Sequence, residues 1–510
     1  MMTVLLVAAC GSNEGTGAVV DDDPIGALQL IPTPRMLAAS VGHLHFDSSS
    51  RIAVSADTET IGELLASSLR PSTGWPWNVT RDEPRPGDIV LRLDGAQADL
   101  GEEGYFLVVD KRHATVRAPS PAGLFYGTRS LLQLLPPEVE RATTAEGVVW
   151  RVPMVAIEDR PRFEWRGFML DVARHFFAAD EVKRLIDIAA RYKLNRFHMH
   201  LTDDSGWRIE IKSWPNLTTI GATTDYSGGP GGHYTQEELA DIVAYAEARF
   251  VMIVPEIDMP GHTNAALASY GELNESGEPT ELTPTVPIGS SSLWIDGPDT
   301  ARFVEDVVRE VAALVPGPYF HIGGDEALTI EPDDYVAFIR MAQGIVESHG
   351  KIMVGWDEIG LVSLDSPFVL QYWLSSSNAV AGSNQGGQII ASPASHAYLD
   401  MKYDESTPIG LSWAGFTDVR DAYEWDPLEL GLAEANVIGL EGPLWTETVE
   451  SAADIDFMMF PRLLGYAEIG WSRRDGRNWE EYRERLAEHG PRLDAHQVAF
   501  FRSPLVDWAP

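Results

Sequence analysis

Beyond Arg160 the chain alternates between short apolar runs and longer stretches whose apolar residues recur at helical spacing. Runs of strand length fall at Arg166–Leu170, Phe197–Leu201, Val251–Ile257, Tyr319–Ile322, Ile352–Val354, Val369–Trp373, Gln388–Ala391 and Val437–Leu440. Between them, Thr235–Arg249 opens with Thr235 and Glu238 in capping-box spacing, and Asp333–His349 closes on Gly350, a residue suited to a helix C-cap. Strand and helix in alternation give a parallel sheet, and eight units close into a barrel. The pattern therefore predicts an α/β (β/α)8 TIM barrel over 158–510, irregular before its sixth and seventh strands, where the connections are short and poor in helix.

Ahead of the barrel the texture differs. Short strand-like runs such as Asp88–Leu93 and Tyr105–Val109 are separated by Pro and Gly turns, and one helix, Pro121–Leu135, carries proline in its tolerated first turn. Residues 24–157 read as a small α+β domain without a catalytic cluster. A chain of 510 residues exceeds what one hydrophobic core supports, so two domains are expected.

Composition narrows the function. With 44% hydrophobic and 22% charged residues the chain is an ordinary globular protein. Its 76 acidic against 38 basic residues give a net charge of −38, which repels a phosphate backbone and excludes nucleic acid as a natural partner. Cys10 is the only cysteine, so no intramolecular disulfide forms. It ends the apolar run MMTVLLVAAC and precedes a polar linker, so that residues 1–23 resemble the tail of a bacterial lipoprotein signal, without the basic residues that usually open one. The expectation is a secreted, periplasmic or outer-membrane lipoprotein, attached through a lipidated Cys10; the alternative is an unstructured terminus with an incidental cysteine.

In a barrel of this type the chemistry sits where the strands end. Here the first run ends in Asp171 and Arg174, the second in Asp203 and Asp204, the third in Glu256, Asp258 and His262, and the fourth in His321, Asp325 and Glu326. Trp356, Trp373 and Trp445 with Glu447 follow the fifth, sixth and eighth. Carboxylates, histidine and several tryptophans on one face suit carbohydrate, because indoles stack on sugar C–H faces while acids bind hydroxyls and move protons. A single tryptophan at a strand end is as readily packing as function; three are not.

Asp325 and Glu326 are neighbours, with Cα atoms about 3.8 Å apart. Two acids leaving one strand end are poorly placed to flank a glycosidic bond, as an acid and an enzyme nucleophile must at about 5 to 5.5 Å. The arrangement fits better if Glu326 serves as acid/base and Asp325 orients a 2-acetamido group whose carbonyl is the nucleophile. Gly323 and Gly324 precede the pair and allow close backbone approach.

The segments HIGGDEA (His321–Ala327), RGFMLDVARHFF (Arg166–Phe177), FHMHLTDDSGWR (Phe197–Arg208) and DMPGHT (Asp258–Thr263) together resemble the family 20 glycoside hydrolases, the β-N-acetylhexosaminidases. The likeness runs from about Glu164 to Trp471. It implies exo-acting, retaining, substrate-assisted removal of terminal N-acetyl-β-hexosamine (GlcNAc or GalNAc) without a cofactor or metal. By this resemblance Asp325 orients the acetamido group and Glu326 is the general acid/base. Asp203 and His262 form a relay behind it, Asp203 being preferred to Asp204 by its spacing from Arg174, and Asp258 supports His262 or Asp325. Arg174 and Glu447 would hold sugar hydroxyls, Trp356, Trp373 and Trp445 enclose the acetamido methyl, and Tyr398 and Asp400 touch the acetamido group. Chitin oligosaccharides, glycans and peptidoglycan fragments all remain open as the source of that sugar.

Two other readings compete. His198 and His200 form an HxH pair of the kind that holds a metal in barrel amidohydrolases. A non-catalytic sugar-binding barrel would keep the tryptophans but not the acids.

Overall fold

The computed structural model describes residues 28–509; Cys10 and the whole Met1–Cys10 run lie outside them. The chain divides into two compact units, the first including Met36–Glu158 and the second combining Gln29–Arg35 with Asp159 onward. A boundary near 157 thus separates the bulk of both units, but Gln29–Arg35, which the sequence alone groups with the first domain, packs with the barrel. Thr33 shows how: its backbone N–H donates to Glu468 at 3.2 Å, and its carbonyl accepts from the Ser472 hydroxyl at 2.7 Å.

The first unit is a seven-stranded mixed sheet with the helices Glu59–Thr73 and Pro121–Leu134. The strand-like runs at Asp88–Leu93 and Tyr105–Val109 are strands. Ser120 caps the second helix by accepting from Gly123 N–H.

The second unit is a closed barrel of eight parallel strands: β1 (Trp165–Asp171), β2 (Arg196–His200), β3 (Met252–Glu256), β4 (Tyr319–His321), β5 (Ile352–Trp356), β6 (Phe368–Tyr372), β7 (Gln388–Ala391) and β8 (Val437–Leu444). Every residue of β1 and β8 is buried, as strands covered on both faces are. Trp165, Val254, Val354, Val369, Ile390 and Ile438 fill the lower barrel.

Helices Ala179–Arg191, Gln236–Glu247, Thr300–Leu314 and Pro332–Ser348 follow the first four strands. Thr235 caps the second of these in the predicted box. After β5 only the 3-10 turn Asp357–Leu361 forms, and after β6 a nine-residue helix, Ser376–Asn384, which the sequence did not lead us to expect. The strongest irregularity lies one connection later. Between β7 and β8 the chain runs from 392 to 436 with only short helical turns. No helix among the described residues is long and apolar enough to cross a membrane.

That long connection needs an anchor, and Arg462 supplies it. Its fully buried guanidinium donates to the carbonyls of Leu399, Met401, Thr417 and Met458 at 2.6 to 3.0 Å and stacks 3.8 Å from the Tyr403 ring centroid. Replacing it with methionine fills the volume but strands several buried acceptors. Arg462→Met is therefore expected to lower unfolding free energy by about 3 kcal/mol or more. A denaturant titration checks this; a loss below about 1 kcal/mol would mean water or neighbouring groups satisfy those carbonyls.

Candidate active site

The turn after β4 carries the two acids. Gly323 and Gly324 both have left-handed backbones, with φ of 70° and 93°, and Glu326 follows at φ 46°. A side chain at Gly323 is impossible, because a Cβ there would sit 1.7 Å from Asp258 Oδ1. The turn is pinned from three sides. Gly324 N–H donates to Asp258 at 3.4 Å, the Tyr335 hydroxyl to Gly324 O at 2.6 Å, and Trp356 N–H to Gly323 O at 2.9 Å. His262 is also left-handed, at φ 53°. Non-glycine residues in this region cost of order 1–3 kcal/mol and persist where surrounding structure imposes them, often at functional sites.

His262 stands between two pairs of carboxylates. Its Nδ1 lies 3.5 Å from Asp203 Oδ1 and 3.5 Å from Asp204 Oδ2. Its Nε2 lies 3.3 Å from Glu326 Oε2 and 3.8 Å from Asp325 Oδ2. These are ion-pair separations without hydrogen-bond alignment. Burial disfavours the imidazolium, but Asp203, Asp204 and Glu326 outweigh it and hold His262 well above its ordinary value.

Distance does not separate Asp203 from Asp204, but their other partners do. Arg174 approaches Asp203 Oδ2 at 2.8 Å and His200 Nε2 approaches the same oxygen at 2.9 Å. Burial opposes charge on Asp203, yet Arg174 and His262 prevail and keep it ionised, well below the usual carboxylate range. Asp204 instead spends Oδ1 on Asn264 N–H, at 3.0 Å, and on the Ser291 hydroxyl.

The remaining acids sit where charge is unwelcome. Asp325 is pushed up to about 7, chiefly by burial, with His262 pulling it down and Glu256 and Glu326 pushing it further up. Its Oδ1 is buried without a hydrogen-bond partner among the described residues, as is Asp258 Oδ2. Asp258 is raised well above the ordinary range, by burial and then by Asp325.

A cavity of about 340 Å³ opens onto these groups, lined by Arg174, Asp203, Asp204, His262, Asp325 and Glu326 on one side. Trp373, Tyr398, Asp400, Trp413, Trp445 and Glu447 complete it. Trp373 and Tyr398 stack at 6.2 Å, and Trp413 stands edge-on to both, at 6.1 and 5.9 Å. Trp356 does not line the cavity; fully buried, it lies 5.6 Å from Trp445 between ring centroids and donates its indole N–H to Glu256 at 2.8 Å. It packs with Met169, Trp373, Tyr398 and Met401 as the layer beneath the walls.

Asp400 lies near Glu447: its carboxyl is raised by burial and next by that neighbour. Both its oxygens are buried and unpartnered among the described residues, as is Glu447 Oε2. Arg174, whose guanidinium lies 4.9 Å above the Trp445 ring, completes this polar end. Burial raises Glu447 too, while Arg174 draws it down.

The sequence reading missed several residues. Glu358 accepts from the Trp373 indole at 3.1 Å and is pushed to about 8, by burial and then by Asp325 and Asp357. It follows Trp356 by two positions at a strand end, a place that could have marked it. Trp413 and Tyr226 line the cavity from long loops, where no periodicity announces them.

His198 and His200 are not arranged as metal ligands. Each has both ring nitrogens within 2.9 Å of a carboxylate oxygen and is held above the ordinary imidazole value by those anions, so the protonated ring has no lone pair to offer. Buried His, Asp and Glu groups do cluster here, with candidate ligand atoms within 4.8 Å of one another. Of the three histidines in those clusters that are held above their ordinary value, all face anionic partners that account for it.

An acid pair at one strand end beside a buried imidazolium, and a pocket lined by aromatic and acidic side chains, suit a barrel glycosidase. Residues 163–335 and 333–474 match Glycosyl hydrolase family 20, catalytic domain, and residues 27–160 match Glycosyl hydrolase family 20, domain 2. The chain belongs to glycosyl hydrolase family 20. It is 40% identical over 488 residues to a β-N-acetylhexosaminidase of Cellulomonas fimi, covering 94% of this chain and 97% of that one. The family 20 β-N-acetylhexosaminidase structure from Streptomyces coelicolor A3(2) superposes with a TM-score of 0.92 at 44% identity, over 96% of this chain and 100% of that one. A Streptomyces plicatus β-hexosaminidase variant solved with its product GlcNAc superposes equally well, at 45% identity over 96% and 99% of the two chains.

Asp325 gives a stability prediction. Its value near 7 exceeds the ordinary ~3.9, so its bound proton stabilises the fold fully below about pH 4, and that contribution is lost as pH rises through 7. Asp325→Asn removes the buried charge at high pH while keeping the shape. The ligand-free variant should gain of order 1–3 kcal/mol over wild type at pH 8 and nothing at pH 4. Melting temperatures across that range decide it; no gain at pH 8 would place Asp325 in a solvated environment.

Proposed function

We propose that this protein is an exo-acting β-N-acetylhexosaminidase that removes terminal non-reducing N-acetyl-β-hexosamine, GlcNAc or GalNAc, with retention and with the substrate's own acetamido group as nucleophile. One observation carries the mechanism. Asp325 and Glu326 approach the same nitrogen of His262, at 3.8 and 3.3 Å, so both acids stand on one side of the sugar. Neither then faces the other across the scissile bond, as the acid and nucleophile of an enzyme-linked double displacement must.

The chemistry follows from the pocket. Arg174, Glu447 and Asp400 hold the hydroxyls of the terminal ring, and the cavity's modest volume suits one amino sugar at a chain end. Trp373, Tyr398 and Trp445, backed by Trp356, enclose the acetamido methyl and bend the carbonyl oxygen beneath the anomeric carbon. Asp325 Oδ1, unpartnered and desolvated, accepts the amide N–H and stabilises the positive charge of the oxazolinium as it forms. Glu326 gives its proton to the departing oxygen, then takes one from the water that opens the ring. His262 and Asp203 keep a positive charge beside Glu326 through both steps.

Glu326→Gln is expected to lower kcat about 10² to 10⁴-fold on substrates with poor leaving groups and far less on a dinitrophenyl glycoside, which leaves without a proton. Asp325→Asn should lower turnover about 10² to 10³-fold on both, since amide assistance precedes either departure. Hydrolysis of paired aryl N-acetylglucosaminides and N-acetylgalactosaminides, with a thiazoline mimic of the cyclised sugar as inhibitor, tests the assignment. Equal cleavage of plain β-glucosides, or indifference to the thiazoline, would remove substrate assistance.

We also propose export and membrane attachment through Cys10, on the strength of the apolar run that it ends. Cys10→Ala should move the enzyme from the membrane fraction to the soluble one and abolish labelling by radioactive palmitate. An unchanged distribution would leave Cys10 without that role.

A further inference from the structure

The barrel beneath the active site is polar. Strand register places Asp171 beside His200, His200 beside Glu256 and Glu256 beside His321, so four adjacent strands put chemistry into one layer. All four residues are fully buried. Branched apolar side chains ordinarily fill such a layer, and a buried carboxylate costs several kcal/mol unless it is paired and hydrogen-bonded.

Glu256 has those partners. Its Oε2 lies 2.5 Å from His200 Nδ1 and 2.9 Å from His198 Nε2. Its Oε1 accepts from the Trp356 indole at 2.8 Å and lies 3.0 Å from His321 Nδ1. The other nitrogen of His200 reaches Asp203 Oδ2 at 2.9 Å, the oxygen that also takes Arg174 at 2.8 Å. Asp203 is left with Oδ1, which accepts from Asp204 N–H at 2.6 Å and faces His262 Nδ1. A hydrogen-bonded line thus runs from Glu256 through His200 to Asp203, and ion-pair contacts carry it on to His262 and Glu326.

An imidazole can meet a carboxylate from many angles, so the ring of His200 needs a second anchor to hold Asp203 in one rotamer. We propose that Glu256 is a positioning residue for the reaction: by fixing His200 it fixes Asp203 with Oδ1 towards His262, and so places the charge that serves the proton donor. This rests on the reading of Glu326 as that donor. His200 remains an imidazolium in this setting, since Glu256 and Asp203 together outweigh the burial that disfavours its charge.

The test compares Glu256→Gln, His200→Gln and the double variant on two N-acetylglucosaminides, one with an alkyl or sugar leaving group and one with dinitrophenyl. Each single variant is expected to lose about 10-fold or more in kcat on the poor leaving group, because small misplacements of a catalytic group are costly. On the dinitrophenyl substrate the loss should stay within about threefold, with KM unchanged on both, because that departure needs no proton. The double variant should be no worse than the weaker single, as two links of one chain are not additive. If Glu256→Gln fails to fold, His200→Gln leaves Glu256 its ion pair with His198 and its hydrogen bond from Trp356 and reads the same link. Equal losses on both substrates, additive losses, or no loss would overturn the inference and leave Glu256 as packing. Should Glu326→Gln itself show no leaving-group preference, the reading of Glu326 fails and takes this inference with it; a normal Glu326→Gln beside indifferent Glu256 variants sinks the inference alone.

Discussion

A single buried imidazolium, His262, separates Asp203 and Asp204 from Asp325 and Glu326, all at 3.3 to 3.8 Å. Asp258 and Glu358 add to the negative charge around Asp325. Water is largely excluded, so this concentration of acid is tolerated only by withholding charge from some members and by paying for the rest with His262 and Arg174. The outcome is a division of labour. Asp203, gripped by Arg174 and His200, stays anionic, while Asp325, Asp258 and Glu358 are driven towards neutrality. A positive charge developing beside Asp325 would be favoured by these surrounding acids.

The backbone serves the same end. The left-handed turn at Gly323 and Gly324 exists because Asp258 presses against it, and it delivers Asp325 and Glu326 on one side of the cavity. Everything on the opposite side comes from later strands and from the long connection between β7 and β8. Tyr398, Asp400 and Trp413 ride on that connection, and Arg462 ties it down from the last helices. That end of the cavity therefore depends on a residue that does not line it.

Much of this was legible in the sequence. All eight barrel strands could be read because burial on both faces leaves them rich in apolar residues, and their polar C-terminal neighbours followed from the barrel's geometry. What escaped was fixed by tertiary contacts without a local signature. Trp413 and Tyr226 sit on loops that obey no period. Trp356 looks like its two partners in sequence, yet register buries it beneath them. Asp400 belongs beside Glu447 because of the path that Arg462 imposes. Glu256 and His200 read as strand-end polar residues, and only the pairing of β2 with β3 reveals the line to Asp203.

The central claim is that the bond at the anomeric carbon is made by the substrate's amide oxygen and not by a carboxylate of the enzyme. Fluorinating the acetyl group step by step weakens that oxygen as a nucleophile while barely changing its size. A series of aryl glycosides bearing acetyl, monofluoroacetyl, difluoroacetyl and trifluoroacetyl groups should show kcat/KM falling steeply and linearly, on a logarithmic scale, with the electron withdrawal of the substituent. A flat series, or a glycosyl ester recovered on any carboxylate after acid quench, would contradict it.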